Sequence, residues 1–476
     1  MMNKMCRCVD VEIIYICGDL CNLRENKKTR RKMKKYYLIA LMIFVGELSA
    51  QTNDTSKVWT LQECVNYALE NNISIKQSEL EKQSRTQNIK SARGNFLPNV
   101  NAQASQSFNF GSSIDATGSR VAADFSSNNY SINASVVLFD GFANINTLDQ
   151  TKINLEVQNA NVEKMKNDIS LNVVNAYLQI LFAKEQINIA QLQVDITQNE
   201  VDRISKLVEA GVAPKGDLLN INSTLATDEQ NLIQAQNTLD ISSLRLAQLL
   251  QLPEATILVE TIALDNPNAS IISNSSAEIY NKASTSFPEV KAAELSIKSA
   301  EKDIRISKAN YYPTLSLNYG LSTVYQHRQG FVDFYPYGDQ LNNNLGHFVG
   351  LTLNIPLFNR FQYSTAVAKS RINMEQAQYS LESEKIKLRE SIQIAYTDAK
   401  TASKTYDAAL KAVDANQEAF RYAQERFEVG SFNTFDFNQA KNRLFTAQSQ
   451  QIRAKYDYTF KLKVLEFYYG IPLVIK

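Results

Sequence analysis

The chain has 476 residues, and its 50 basic and 49 acidic side chains nearly cancel. A balanced charge gives no extended positive field, so a nucleic-acid-binding function is not expected. Four of the five cysteines, Cys6, Cys8, Cys17 and Cys21, precede the body of the chain, which keeps only Cys64. One cysteine suits an oxidising compartment without a disulfide framework.

The first 50 residues are expected to be a leader and a signal peptide. A basic stretch at 27–35 precedes an apolar run from Tyr36 to Val45, and small residues follow up to Ala50, where we expect cleavage. Met33 is the expected true start. A single N-terminal membrane anchor is the alternative, although the apolar run is shorter than the ~20 residues of a spanning helix.

The rest of the chain contains an internal duplication. Three short motifs occur twice, each time 219 residues apart: "LFDGF" at Leu138 and "LFNRF" at Leu357, the turns at Gly211 and Gly430, and the closing segments at Pro253 and Pro472. A fixed spacing of this kind indicates a tandem repeat. We assign repeat 1 to residues 51–253, a linker to 254–275 and repeat 2 to 276–473.

Each repeat is predicted to contain a helix, a β-hairpin, a long helix and a return helix. The first helix of repeat 1 begins with a capping box, Thr60 with Glu63, and extends to about Gly94. The β-hairpins are predicted at 98–139 and 313–358, the long helices at 142–210 and 360–429, and the return helices at 217–250 and 434–469. The long helices contain neither Gly nor Pro, and about 70 residues would extend ~100 Å. Each long helix and its return helix should form an antiparallel coiled coil.

The predicted strands alternate apolar and polar residues, which indicates strands with one apolar and one polar face. Their length suits a membrane strand, but four strands cannot close a barrel, and open edges are costly in lipid. Several chains would have to close one barrel together, and a small soluble β-sandwich is the alternative. The residues expected to face lipid are Val100, Ala102, Ala104, Phe108, Ile132, Val136, Leu317 and Leu351. Aromatic side chains at the strand ends, at Phe96, Phe139, Tyr311, Tyr312 and Phe358, are expected at the membrane interface.

The order of these motifs, doubled at a constant spacing, resembles the TolC family of outer-membrane efflux and secretion ducts. The resemblance covers roughly residues 58–473. It implies a mainly α fold with a β membrane portion, in which three chains form a twelve-stranded β-barrel in the bacterial outer membrane. A trimeric α-barrel of long coiled-coil helices would continue that β-barrel into the periplasm. The implied partners are outer-membrane lipid, a periplasmic adaptor (membrane fusion protein) and an inner-membrane pump of the RND, ABC or MFS type.

The resemblance also implies roles for residues near the two turns. The periplasmic tip that contacts the adaptor would comprise Gly211, Val212, Ala213, Pro214, Gly430, Ser431 and Phe432. Asp436 and Asp217 would lie at the pore constriction, where a ring of three carboxylates favours cations. Both aspartates also suit the start of a return helix, Asp217 as its N-cap and Asp436 beside the helix dipole. A second carboxylate ring would fall on Gln439, and the polar latch of the family would fall on Phe432 and Phe427. Two alternatives replace that latch: closure by aromatic packing, or a tip that opens more easily.

The sequence predicts no catalytic residue, no cofactor and no metal site, so an enzyme is not expected, and the resemblance implies a passive duct. The only histidines, His327 and His347, have no Cys or carboxylate cluster beside them in the sequence. Two other classes of protein stay open at this point. A soluble periplasmic coiled-coil scaffold would lack a channel, and an enzyme with helical arms would need a clustered polar pocket. Small-molecule efflux and type I protein secretion are not separated by the sequence.

Overall fold

A computed structural model describes residues 57–114, 118–122, 124–253, 257–261, 269–328 and 335–471. The expected leader and signal peptide lies outside these residues, as do residues 254–256 and 262–268 of the linker and the closing Pro472. Lys57 apart, all described residues belong to one unit, which begins at Val58.

The first helical segment of each repeat is two helices, where the sequence predicted one. In repeat 1, strand β1 (Val58–Trp59) precedes α1 (Leu61–Asn71) and α2 (Ile73–Gly94). The capping box of Thr60 and Glu63 is confirmed. Asn72 separates the helices because its backbone is extended, and its side chain accepts a hydrogen bond from the Ser74 N–H at 2.9 Å. It also donates to the Leu249 carbonyl at 3.1 Å, so the break is held in place by the return helix.

The two hairpins combine into one antiparallel sheet. Its strands are β2 (Asn99–Asn109), β5 (Phe125–Phe139), β7 (Thr314–Arg328) and β8 (Gly346–Asn354), in the order β2-β5-β7-β8. The first hairpin loop contains a small pair of strands, β3 (Ser112–Ile114) and β4 (Arg120–Ala122). Pairing of β5 with β7 therefore joins the hairpin of repeat 1 to the hairpin of repeat 2.

Long helices follow the strands directly. In repeat 1, α3 (Ala143–Glu209) has 67 residues and turns into α4 (Lys215–Leu250). Repeat 2 contains α5 (Ser276–Ser286), α6 (Pro288–Ala309), a short α7 (Tyr337–Asn343) in its hairpin loop, α8 (Gln362–Glu428), also of 67 residues, and α9 (Thr434–Tyr468). Phe287, extended as expected before Pro288, separates α5 from α6. The described helices include none with the length and apolarity needed to cross a membrane.

Part of the predicted linker pairs with β1, the strand that precedes the first helix. Strand β6 (Leu258–Val259) lies parallel to β1, and a 3₁₀ turn (Ala269–Ser273) precedes repeat 2. The Tyr177 hydroxyl donates to the Glu260 carbonyl at 2.9 Å, and the Lys184 ammonium donates to the Val259 carbonyl at 2.7 Å. These contacts attach the part of the linker around β6 to α3. Cys64 is fully buried in the adjoining core, as predicted for a small apolar side chain.

Candidate functional site

The sheet separates apolar from polar side chains. Residues directly opposite each other in neighbouring strands share a face, and so do alternate residues of one strand. The register therefore places all eight residues predicted to face lipid on one face: Val100, Ala102, Ala104 and Phe108 of β2, Ile132 and Val136 of β5, Leu317 of β7 and Leu351 of β8. This face is open to the surroundings, with Val100 60% and Leu351 66% exposed. A soluble sandwich would cover such a face with a second layer.

The opposite face of the sheet carries polar side chains that bond across the strands. The hydroxyls of Ser107 and Ser127 lie 2.8 Å apart. Ser135 donates to the Asn318 amide oxygen at 2.9 Å, and the Asn318 amide donates to the Thr352 hydroxyl at 3.1 Å. A face of this kind suits contact with water.

The sheet ends in two open edges. Strands β2 and β8 are outermost, and within the part of the chain that is described, neither has a partner on its outer side. Edge strands with unpaired backbone groups are sites of strand addition from another chain. A second sheet of the same kind could supply the missing hydrogen bonds.

Left-handed glycines form the turns between each long helix and its return helix. Gly211 has φ +75° and Gly430 has φ +74°, with open space around each. In the first turn Val212 N–H donates to the Leu207 carbonyl at 2.9 Å, and in the second Ser431 N–H donates to the Arg426 carbonyl at 2.9 Å. These are Schellman-type helix ends. Side chains just beyond the glycines project outward, and Val212 is 73% exposed.

Other predicted tip residues lie in the same turns, together with two that the sequence analysis missed. Ala213 and Phe432 are half-buried, and Pro214 is exposed. The Arg426 guanidinium lies 4.7 Å from the centre of the Phe432 ring. Leu219 and Phe435 are as exposed as Val212. The sequence marks these two residues as apolar side chains in or next to the first turn of a return helix. Both side chains are exposed and so do not pack against the coiled-coil partner.

The two aspartates have different surroundings. Pro214 caps the return helix of repeat 1, so the interpretation of Asp217 as an N-cap is wrong; its amide donates to the Pro214 carbonyl at 3.1 Å. Asp436 takes part in a reciprocal cap, since Asn433 accepts from the Asp436 N–H at 2.8 Å and donates to the Asp436 carboxylate at 2.9 Å. A cleft of about 1340 Å³ between the two turns is lined by Asp217 and Gln439 but not by Asp436.

Aromatic rings fill the space behind the second turn. The rings of Phe427 and Phe437 stack with centres 4.5 Å apart, and Phe420 lies 5.6 Å from Phe437. The Arg203 guanidinium of α3 lies 4.1 Å from the centre of the Phe427 ring. This cation–π contact joins the coiled coil of repeat 1 to that of repeat 2 at a position where the sequence predicted aromatic packing in place of a polar latch.

A buried polar network, which the sequence analysis missed, also connects the repeats. The Lys441 ammonium lies 3.1 Å from the Asp228 carboxylate, and the two side chains are 0% and 3% exposed. The Thr197 hydroxyl accepts from Lys441 at 2.5 Å and donates to Asp228 at 2.6 Å, and Gln193 donates to the other Asp228 oxygen at 2.7 Å. Burial lowers the pKa of Lys441, because desolvation outweighs the opposing attraction of Asp228.

The sequence contained a signal for this network in the heptad spacing. Thr197 lies seven residues from buried Ala190 and seven from buried Ile204, while Asp228 lies seven residues after buried Ile221. A polar residue at a heptad core position is expected to meet a polar partner across the interface. The spacing does not say which partner it meets.

Long paired helices follow directly on a sheet that has one apolar face, one polar face and two open edges. This combination is typical of one class of protein, the subunits of multichain membrane channels. The chain belongs to the outer membrane efflux protein family, whose sequence model matches residues 64–251 and 279–470, one match in each repeat. The resemblance stated from the sequence is confirmed. So are the outer-membrane location and the fold class, which is mainly helical, with long paired helices, a four-stranded sheet and an internal repeat.

Individual relatives agree with this assignment. The outer membrane protein TolC of Escherichia coli is 22% identical over 425 residues, which cover 88% of this chain and 83% of that protein. The outer membrane efflux protein BepC of Brucella suis is 20% identical over 392 residues, which cover 82% of this chain and 80% of BepC. A solved structure of CusC superimposes with a TM-score of 0.74 at 16% identity, covering 87% and 92% of the two chains. The Vibrio cholerae protein VceC gives a TM-score of 0.71 at 14% identity, covering 87% and 97%. These relatives are channel proteins rather than enzymes.

Proposed function

We propose that the protein is the exit duct of a tripartite efflux pump or a type I secretion system. In this role it passively conducts substrates from a periplasm-spanning conduit to the exterior. The observation that carries the proposal is the sheet, which is apolar and exposed on one face, polar on the other, and open at both edges. Only a closed assembly satisfies such edges inside a membrane.

The assembly follows from counting strands. Three sheets of four strands give twelve, and closure requires β2 of one copy to pair with β8 of the next. The apolar face then meets outer-membrane lipid, and the serine and asparagine ladders line a water-filled lumen. The 67-residue helices extend the lumen by ~100 Å into the periplasm.

The helix turns are the proposed docking points for a periplasmic adaptor, which joins the duct to an inner-membrane pump of the RND, ABC or MFS type. Exposed Val212 and Ser431, beside the two glycines, would meet the adaptor, while the pump supplies energy and selects the cargo. The duct itself carries out no chemistry. Efflux of small molecules is supported by the family's description and by a relative, the toluene efflux pump outer membrane protein TtgF of Pseudomonas putida, which is 23% identical over 426 residues.

The assembly is tested by mass and by conductance. Protein extracted from outer membranes with detergent should have the mass of three chains and should form water-filled channels in a planar lipid bilayer. A monomeric protein without conductance would overturn the proposal.

The docking points are tested separately by photocrosslinking in cells. A photoreactive amino acid at Val212 or Ser431 should capture a periplasmic adaptor, identified by mass spectrometry. The same group at Tyr379, 64% exposed on α8 and far along the helix from the turn, is the control. Capture of the adaptor at Tyr379 and not at the turns would contradict the assignment.

A further inference from the structure

The loop of the second hairpin folds back onto the sheet. Helix α7 contacts β7 beyond the point where β8 ends, since the last paired residues of these strands are Ser322 and Gly346. The Thr323 hydroxyl donates to the Leu341 carbonyl at 2.6 Å. Thr323 lies opposite Tyr130, on the apolar face of the sheet. Helix α7 therefore lies against the outward side of the proposed barrel wall.

Helix α7 and its C-terminal cap also satisfy the free edge of β7. The Gln326 N–H donates to the Gln340 side chain at 3.2 Å, and the Asn344 amide donates to the Val324 carbonyl at 2.6 Å. These backbone groups lie beyond Ser322, where the pairing of β7 with β8 ends, so β8 does not supply their partners. The side chains of Thr323, Gln340 and Asn344 fix α7 in place at this corner, so its position is not that of a loop extending freely outward.

Three tyrosines meet at this corner, and we call them the tyrosine cluster: Tyr130, Tyr325 and Tyr337. The Tyr130 and Tyr337 hydroxyls lie 2.8 Å apart, and the rings of Tyr325 and Tyr337 are 4.6 Å apart. Tyr130 and Tyr337 stay 37% and 42% exposed. Exposed rings with a polar end are typical of the boundary between lipid and water.

Phenylalanine pairs stand at the other end of the sheet. Phe139 meets Phe142 with ring centres 5.4 Å apart, and Phe358 meets Phe361 at 6.0 Å. Phe139 lies opposite Leu315, on the apolar face. Phe142 and Phe361 have φ 68° and 64°, a left-handed conformation that costs a non-glycine residue free energy. In repeat 1 the ring of Phe142 thus lies next to the apolar face, and in repeat 2 the ring of Phe361 is exposed beside that of Phe358.

The spacing of the two aromatic groups matches a bilayer. Tyr130 and Phe139 are nine residues apart on β5. At about 3.3 Å per residue and a tilt of about 40°, nine residues span ~23 Å along the membrane normal, close to the ~25 Å apolar band of membrane β-barrels.

We propose that α7 and the tyrosine cluster form a surface that binds the polar headgroup layer of the outer leaflet, while the phenylalanine pairs mark the inner boundary. The inference rests on the proposed function, because it requires the apolar face to meet lipid. It goes beyond that function by assigning a partner to α7, a segment that would otherwise be a surface loop.

Depth-dependent fluorescence quenching tests the surface. The sequence has one tryptophan, so Trp59→Phe gives a background without any. In this background Tyr337→Trp and Phe361→Trp probe the two boundaries, and Tyr335→Trp is a second probe beside α7. Val349→Trp is the control, since Val349 is 69% exposed on the apolar face at the level of Tyr319 and Ala134. Each variant is reconstituted with phospholipid brominated either near the headgroup or deep in the chain.

The probes at 335, 337 and 361 should be quenched at least twofold more by shallow than by deep bromine, and the control should show the reverse. An unquenched control would overturn the proposed function itself. A control quenched by deep bromine, together with unquenched probes at 335 and 337, would place α7 in water and overturn this inference alone. Stronger quenching of these two probes by deep bromine would overturn it as well.

Discussion

The ammonium of Lys441 and the carboxylate of Asp228 lie 3.1 Å apart in the interior, where they join the return helices of the two repeats. Thr197 of α3 bonds to both, so three long helices meet at one polar point. An unpaired charge at this depth would be very unfavourable. The network therefore favours one register of α9 against α3 and α4.

Removing the cation should destabilise the protein strongly. Lys441→Met leaves Asp228 buried without its counter-charge, and breaking a buried pair in this way costs about 3–5 kcal/mol. We expect a loss of that size in the free energy of unfolding, measured by circular dichroism in denaturant on detergent-solubilised protein. The double variant Lys441→Met with Asp228→Asn should lose less than Lys441→Met, because a neutral amide still bonds to Gln193 and Thr197.

Lys411→Met is the matched control, since Lys411 is exposed on α8. It should change the free energy of unfolding by less than about 0.5 kcal/mol, the usual range for surface substitutions. Equal effects of the Lys441 and Lys411 variants would show that the buried pair fixes nothing.

Features set by local chemistry could be predicted from the sequence. The absence of Gly and Pro gives the long helices, which the structure has at Ala143–Glu209 and Gln362–Glu428, and strict alternation gives the two-faced strands. The break at Asn72 could not be predicted in this way. It depends on a hydrogen bond to Leu249, 177 residues further along the chain.

The polar network and α7 show the same limit at the functional surfaces. Heptad spacing marks Thr197 and Asp228 as core positions, but the partner of Asp228 comes from the other repeat. Helix α7 has only seven residues, and its position depends on the open edge of β7 above Ser322. Both features arise from long-range contacts, which a local pattern does not specify.

The turn glycines should tolerate substitution poorly. Nothing surrounds the position of a Cβ at Gly430, so Gly430→Ala adds no clash, but its φ of +74° is unfavourable for alanine. We expect a loss of about 1–2 kcal/mol in the free energy of unfolding. Gly216→Ala, in the first turn of α4 and equally uncrowded, should be neutral or stabilising by up to about 1 kcal/mol. If Gly430→Ala lowered the free energy of unfolding no more than Gly216→Ala does, the role of the left-handed turn would be contradicted.

The faces of the sheet should respond oppositely to a charge. Arg at Ala102, on the apolar face, should weaken membrane assembly by ~2–4 kcal/mol if the site lies near the midplane of the bilayer. Arg at Asn101, the preceding residue on the polar face, should be tolerated. The yield of folded protein in the outer membrane measures both. Equal yields would argue against the facing assigned to β2.

The assignment of Asp436 to the constriction can be separated from its role in the helix cap. Asp436→Asn removes the charge but keeps an oxygen that can accept from Asn433 and the N–H that Asn433 binds. If three such carboxylates surround a narrow pore, their loss should lower the cation-to-anion permeability ratio several-fold in planar bilayers, because a charged ring sets ion preference. Asp414→Asn, exposed on α8 and away from the turn, should leave that ratio unchanged. If the Asp436 variant kept both its ion selectivity and its free energy of unfolding, the assignment of Asp436 to the pore constriction would be wrong.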